Sequence, residues 1–167
     1  GIDHVTADGI VNADGTKTVI DTLVLATGFD LWEANFPAIE VIGRDDRNLG
    51  KWWRENGFQA YEGMTVPLFP NMINQASPYA WVGMSWFDTV EYQMRHMNRL
   101  FGELQRRGAR IFEVTEEATA DFNRQVAEAM GPTVWNTGCN SWYFTEGGSI
   151  DLWPFDRKTM VRMLSAP

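Results

Sequence analysis

The run Thr18-Val-Ile-Asp-Thr-Leu-Val-Leu-Ala26 leads without a break into Thr27-Gly28-Phe29-Asp30. Its first half alternates apolar with polar side chains, and Leu23 to Ala26 is continuously apolar. That pattern predicts a strand whose end enters a sheet covered on both faces. Gly28, lacking a β-carbon, lets the chain turn sharply and lets a ligand close on the backbone. In open α/β sheets ligands bind beyond the carboxyl ends of the strands, which is where Thr27 and Gly28 would fall. A strand ending in Ala-Thr-Gly is also compatible with a purely structural turn.

Upstream, Ile2-Asp-His-Val-Thr6 reads as a strand already under way, and Gly9 to Val11 as a second short strand. Asn12-Ala-Asp-Gly-Thr16 supplies the turn before the central run. Downstream, a short strand is expected around Ile39–Ile42. Asn48 is placed to cap a short helix carrying Leu49, Trp52 and Trp53, with Asn56-Gly57 to end it. Residues 58–87 hold Gly63, Pro67, Pro70, Pro78 and Gly83 and read as loop, with one short strand after Phe69-Pro70-Asn71. The best helix spans 88–107, where Val90, Met94, Met97, Phe101 and Leu104 form one apolar stripe. Ser85 or Asp88 would cap its start, and Arg106, Arg107 and Gly108 suit its end. Ile111–Val114 reads as a strand, Thr115 caps a second helix with Phe122, Val126 and Ala129 on one face, and Asp156 caps a last short one.

The 167 residues carry 22 acidic against 14 basic side chains, a net charge of −8. Such a balance argues against nucleic acid as a partner, since phosphate binding calls for a basic patch. No apolar run approaches the ~20 residues that cross a bilayer. One cysteine, Cys139, excludes an internal disulfide framework. A reducing, cytoplasmic compartment is the expectation. Aromatic residues make up 13% of the chain, gathered after residue 28. They suit either a large-ring core or the lining of a cofactor pocket.

Most chemical signatures are missing. There is no G-x-G-x-x-G, no Walker loop and no His-Glu-x-x-His. His4, His96 and Cys139 lie too far apart in sequence to suggest a structural zinc site. His96, one position off the helical stripe, reads as a helix-flank residue rather than a catalytic base. Cys139 reads as a packed thiol rather than a nucleophile, with no histidine nearby in sequence.

The segment Asp21-Thr-Leu-Val-Leu-Ala-Thr-Gly-Phe29-Asp30 nevertheless resembles one found in class B flavoprotein monooxygenases, the flavin-containing and Baeyer–Villiger enzymes. The resemblance continues in order through Leu49…Trp52, Tyr61-x-Gly63, Phe69-Pro70-Asn71, Ser77-Pro78 and Val90-Glu91-Tyr-Gln93. It ends in Val134-Trp135…Cys139-Asn-Ser-Trp-Tyr143…Gly147…Trp153-Pro154 and so covers nearly the whole chain. The Ser-Trp-Tyr segment favours the Baeyer–Villiger type.

This resemblance implies a fold class, α/β, in which the chain is the C-terminal part of a Rossmann-like flavoprotein with two dinucleotide-binding domains. The FAD-domain sheet would be incomplete. Residues 1–30 would be the strands ending in the Ala-Thr-Gly segment, 31–87 a loop-rich cofactor-facing region, and 88–167 a helical and aromatic-loop region. It implies FAD and NADPH as cofactors. The reaction would put one oxygen atom of O₂ into a ketone or a sulfide-like heteroatom through a flavin C4a-(hydro)peroxide. Thr27, Gly28 and Phe29 would wrap the FAD. Ser77 and Pro78 open a loop that runs to Ser85 and Trp86, where a helix start would approach the flavin pyrimidine, and Trp142 would reach the nicotinamide unless it is core. The family often has Gly-Pro where this chain has Ser77-Pro78-Tyr79, so close backbone approach to the flavin is less secure there. Both Gly-rich loops and the catalytic arginine would lie before Gly1. The chain is therefore expected to be a fragment, inactive alone, whose partner is the N-terminal part of the same enzyme. Two other readings stand beside this one. They are a fragment of another two-dinucleotide-domain flavoprotein, such as a disulfide reductase, and a stand-alone, non-catalytic α/β binding module.

Overall fold

The structure, a computed structural model, describes residues 1–28, 37–75, 77–80, 85–137, 141, 143–145, 147–148 and 150–165. It opens with an antiparallel meander, β1 (Ile2–Thr6), β2 (Gly9–Asn12) and β3 (Lys17–Val19), in the order β1-β2-β3. Thr6 pairs with Gly9 across the first turn, and Gly9 pairs in turn with Val19. In the second turn Asp14 Oδ1 accepts from the Thr16 amide at 2.9 Å, as the Asn-Ala-Asp-Gly signal anticipates.

The central run does not continue as a strand. Only Lys17–Val19 pairs, and Ile20 to Gly28 has no regular secondary structure. Leu23, Val24 and Leu25 are 42%, 80% and 77% exposed. A strand apolar on both faces is stable only with neighbours on either side and layers above and below. Among the described residues none pairs with it. What the chain forms is thus part of an α/β unit: helices and a small sheet, without the parallel strands its central run is patterned for.

Among the described residues four α-helices follow: α1 (Leu49–Asn56), α2 (Trp86–Arg107), α3 (Glu116–Met130) and α4 (Arg157–Met163). Three of the expected caps are made. The side chains of Asn48, Thr115 and Asp156 accept from the amides of Lys51, Ala118 and Thr159 at 3.0, 3.1 and 2.8 Å. Gly57 and Gly108 follow α1 and α2 as their sequence positions suggest.

Elsewhere the expected short strands are replaced by turns. Ile39–Ile42 contributes a single bridge, Ile42 to Asn48. After Phe69-Pro70 the chain turns, and Asn71 has φ 58°. Its side chain accepts from the Phe112 amide and donates to the Arg110 carbonyl, both at 3.1 Å. Residues 111–114 are held by these bonds and by Asn71 N–H to Phe112 O, not by a ladder.

The core falls into three clusters. Leu49 and Trp53 of α1 pack on Phe58, Ala60, Val66 and Phe69. Phe122 and Val126 of α3 meet Met64, Tyr79, Trp153 and Met160. Met130, at the end of α3, joins Ile150 and Leu152. On α2 the buried face is displaced from the expected stripe. Thr89 and Gln93 are buried, Tyr92 and Met97 pack on the second cluster, and Met94 and Phe101 are exposed. A hydrogen bond explains the rotation: Gln93 Nε2 donates to the Gly63 carbonyl at 3.1 Å, bringing that side of the helix inward.

Candidate cofactor site

Two segments were expected from sequence to face a nucleotide cofactor. The first is Thr27-Gly28. Both residues are exposed, and Gly28 has φ 84° with nothing within 4 Å of where a β-carbon would stand. A backbone in that conformation suits glycine, and the open space around it admits another group. Phe29 lies outside the described residues, as does Trp142.

The second segment runs from Ser77 to Trp86. Ser77, Pro78, Tyr79 and Ala80 are all buried, so this end is anchored inside the chain rather than presented at the surface. The Ala80 amide donates to the Ser77 carbonyl at 3.0 Å, and the Tyr79 amide to the Asp151 carbonyl at 2.8 Å. Ser77 Oγ is buried without a hydrogen-bond partner. Tyr79 has φ 64°, and burial, with Asp151 second, pushes its phenol far above the ordinary range. Beneath this turn sits Gly63, where a β-carbon would come within 2.9 Å of Ala80 Cα and N and of the Tyr79 carbonyl oxygen.

The other end of the segment opens α2. Ser85 is exposed, occupies the N-cap position, and makes no side-chain capping bond. Its carbonyl accepts from the Thr89 amide at 3.2 Å, so the helix is started by backbone alone. The first turn of a helix, at the positive end of its dipole, attracts an anion or an electron-rich oxygen. Trp86 is half-buried there. The direction of this helix start is fixed from below. Arg157 of α4 reaches Asp88 at 3.6 Å and donates through Nε to the Tyr92 hydroxyl at 3.0 Å.

Gln93 and Gly63 were not singled out for this site from sequence, yet they tie α2 to the buried turn at 77–80. The one available signal was a long amide among the apolar residues of a helix. His96 lies on the flank of α2, half-buried, its Nδ1 donating to the Leu164 carbonyl at 3.1 Å. Cys139 is outside the described residues. Among the described residues no cluster of three His, Cys, Asp or Glu side chains forms a metal site, and no helix is long and apolar enough to cross a membrane.

Comparison with known proteins bears on the family of the chain. No protein-family model matches the chain. An uncharacterized monooxygenase of Mycobacterium tuberculosis is 36% identical over 156 residues, covering 93% of this chain and 31% of that protein. A Baeyer–Villiger monooxygenase of Streptomyces coelicolor is 33% identical over 159 residues, 92% of this chain and 30% of the relative. An FAD-binding monooxygenase of Emericella nidulans is 33% identical over 163 residues, 89% of this chain and 25% of the relative. Among solved structures, the closed form of cyclohexanone monooxygenase matches with a TM-score of 0.76 at 28% identity, over 98% of this chain and 31% of that one. A cyclohexanone monooxygenase mutant from Rhodococcus bound to NADP⁺ gives 0.75 at 26% identity, over 98% of this chain and 30% of that one.

The chain is thus a homologue of the flavoprotein monooxygenases. Members named Baeyer–Villiger monooxygenases are among its relatives, and it spans about 31% of the length of the first of these relatives.

Proposed function

We propose that the protein this chain belongs to is an FAD- and NADPH-dependent monooxygenase that puts one oxygen atom of O₂ into a small organic ketone or a soft heteroatom. The observation that carries the proposal is the match to cyclohexanone monooxygenase over 98% of the chain. FAD, when bound and reduced by NADPH, supplies the oxygen-transfer chemistry. The residues here fit such a group in two respects: an uncapped start to α2 and a glycine at φ 84° facing open space.

In this reading Thr27, Gly28 and Phe29 wrap the flavin nucleotide by backbone approach. The start of α2, at Ser85 and Trp86, would hold the electron-rich pyrimidine edge of the flavin at the positive end of the helix dipole. Ser77 and Pro78 act from behind, as the buried anchor from which the segment reaches α2. Trp142 packs against the nicotinamide. We assign the activity to the longer protein, with the segment preceding this chain as its partner, and its compartment to the cytoplasm.

Gly28→Val tests the assignment. A β-branched residue at φ 84° is strained, and its methyls would occupy the space the cofactor needs. The flavin-to-protein absorbance ratio of the longer protein after gel filtration should fall to near zero. A ratio equal to wild type would remove Gly28 from the site.

A further inference from the structure

A second cavity lies away from the start of α2. It is bounded by the turn at Tyr61–Thr65, the middle of α2, the connection 112–115 and the first turn of α3, and its volume is about 310 Å³. This is at the lower end of the ~300–1,000 Å³ found for small-molecule sites. His96 is eleven residues beyond Ser85, which is about 16 Å along the helix axis. Leu100, Phe112, Val114, Ala118 and Met163 give the cavity apolar walls.

Its polar groups are unbalanced. Glu62 lines the cavity, yet the residue is only 9% exposed and makes no ion pair among the described residues. Its backbone has φ 50°, a left-handed conformation uncommon for a residue with a long side chain. Strain of this kind persists where the surroundings hold it and gathers at ligand clamps. Burial pushes the Glu62 carboxyl above the usual carboxylate range, while a hydrogen bond from Tyr61 works the other way. His96 also lines the cavity. Because its Nδ1 donates to the Leu164 carbonyl, the proton is fixed there and Nε2 is an acceptor. Burial, first, and Arg99, last, hold its pKa below the ordinary value, so the ring is neutral at pH 7. Glu113 contributes a third acceptor, already engaged by Arg44 and by the Leu68 amide, at 2.8 and 2.9 Å. Among the described residues no lysine or arginine lines the cavity.

A buried carboxylate and a half-buried ring nitrogen facing apolar walls, neither paired with a cation among the described residues, define the complement they lack. We propose that this cavity binds a small primary ammonium with a hydrocarbon tail, its head donating to the Glu62 carboxylate and His96 Nε2 and its tail lying on Leu100, Phe112 and Met163. A bare metal ion is a poorer match, since among the described residues no three ligating side chains converge.

The test is isothermal titration of the longer protein to which the chain belongs, with injections into buffer as blank. The probes are n-hexylammonium, hexan-1-ol and hexanoate at neutral pH. The ammonium should bind saturably at one site, the alcohol at least tenfold more weakly, and the carboxylate not at all. Glu62→Gln keeps the shape and removes the charge. It should weaken the ammonium at least tenfold and leave the alcohol unchanged, with a thermal melt to check folding. Ala118→Leu, filling the cavity from α3, should abolish binding of both. Absence of ammonium binding, equal affinity for alcohol and ammonium, or an ammonium affinity indifferent to both substitutions would overturn the proposal. Should Glu62→Gln fail to fold, the charge series in the unaltered protein together with Ala118→Leu decides the matter.

Discussion

Gly63 and Gly28 both hold positive φ, at 67° and 84°, yet they face opposite surroundings. Around Gly63 a β-carbon meets backbone atoms of Tyr79 and Ala80 at 2.9 Å, and backbone cannot step aside as a side chain can. Gly63→Ala adds a left-handed penalty to overpacking, and should destabilise by about 3 kcal/mol in a urea titration of the longer protein. Gly28→Ala, with open space around it, should cost only the backbone term, on the order of 1 kcal/mol. Sequence reading found Gly28 because it ends an apolar run. It found Gly63 only as part of a motif, since what makes glycine necessary there is contact with residues sixteen and seventeen positions on, which no local pattern reports. Gln93, too, entered only as part of a motif. A glutamine in a helix reads as solvent-facing until its carbonyl partner across the fold is known.

At the scale of elements, what was legible is what local chemistry determines. Asn48, Thr115 and Asp156 cap their helices because a side-chain oxygen satisfies an amide left free at the helix start. Asn48→Ala or Thr115→Ala should each lower stability by about 1 kcal/mol, read from denaturation midpoints. The Asp156 cap carries a pH dependence. Hydrogen bonds from Thr159 hold its carboxyl below its ordinary value of 3.8. With the folded-state value depressed, the cap's contribution is complete above that ordinary value and is lost as pH falls through the lower one. Amide-proton protection at Thr159 should therefore drop under strong acid in the wild type and stay flat in Asp156→Asn. What was not legible depends on distant neighbours. The continuation of Thr18–Ala26 as a strand needs flanking strands, and the inward face of α2 follows from Gln93 meeting Gly63 rather than from the apolar stripe.

At the scale of the whole molecule, several large apolar side chains face solvent. Val24, Leu25 and Phe87 are about four-fifths exposed, and Met94 and Phe101 nearly half. Apolar surface of this extent, beside a run patterned as a strand and left unpaired, promotes association in spite of a net charge of −8. The free chain should scatter light and enhance the fluorescence of a hydrophobic dye, and a monodisperse monomer without dye binding would contradict this. Lacking any G-x-G-x-x-G loop, it should also consume no NADPH above background when given FAD and a ketone panel. The central claim concerns the longer protein, and one measurement bears on it most directly. The purified enzyme is supplied with NADPH, a panel of cyclic ketones and isotopically labelled dioxygen, and the products are weighed by mass spectrometry. The account predicts ketone-dependent loss of NADPH and an ester or lactone carrying a single labelled oxygen atom. NADPH oxidation without labelled product across ketones and sulfides alike, or no oxidation by a protein that retains its FAD, would contradict it.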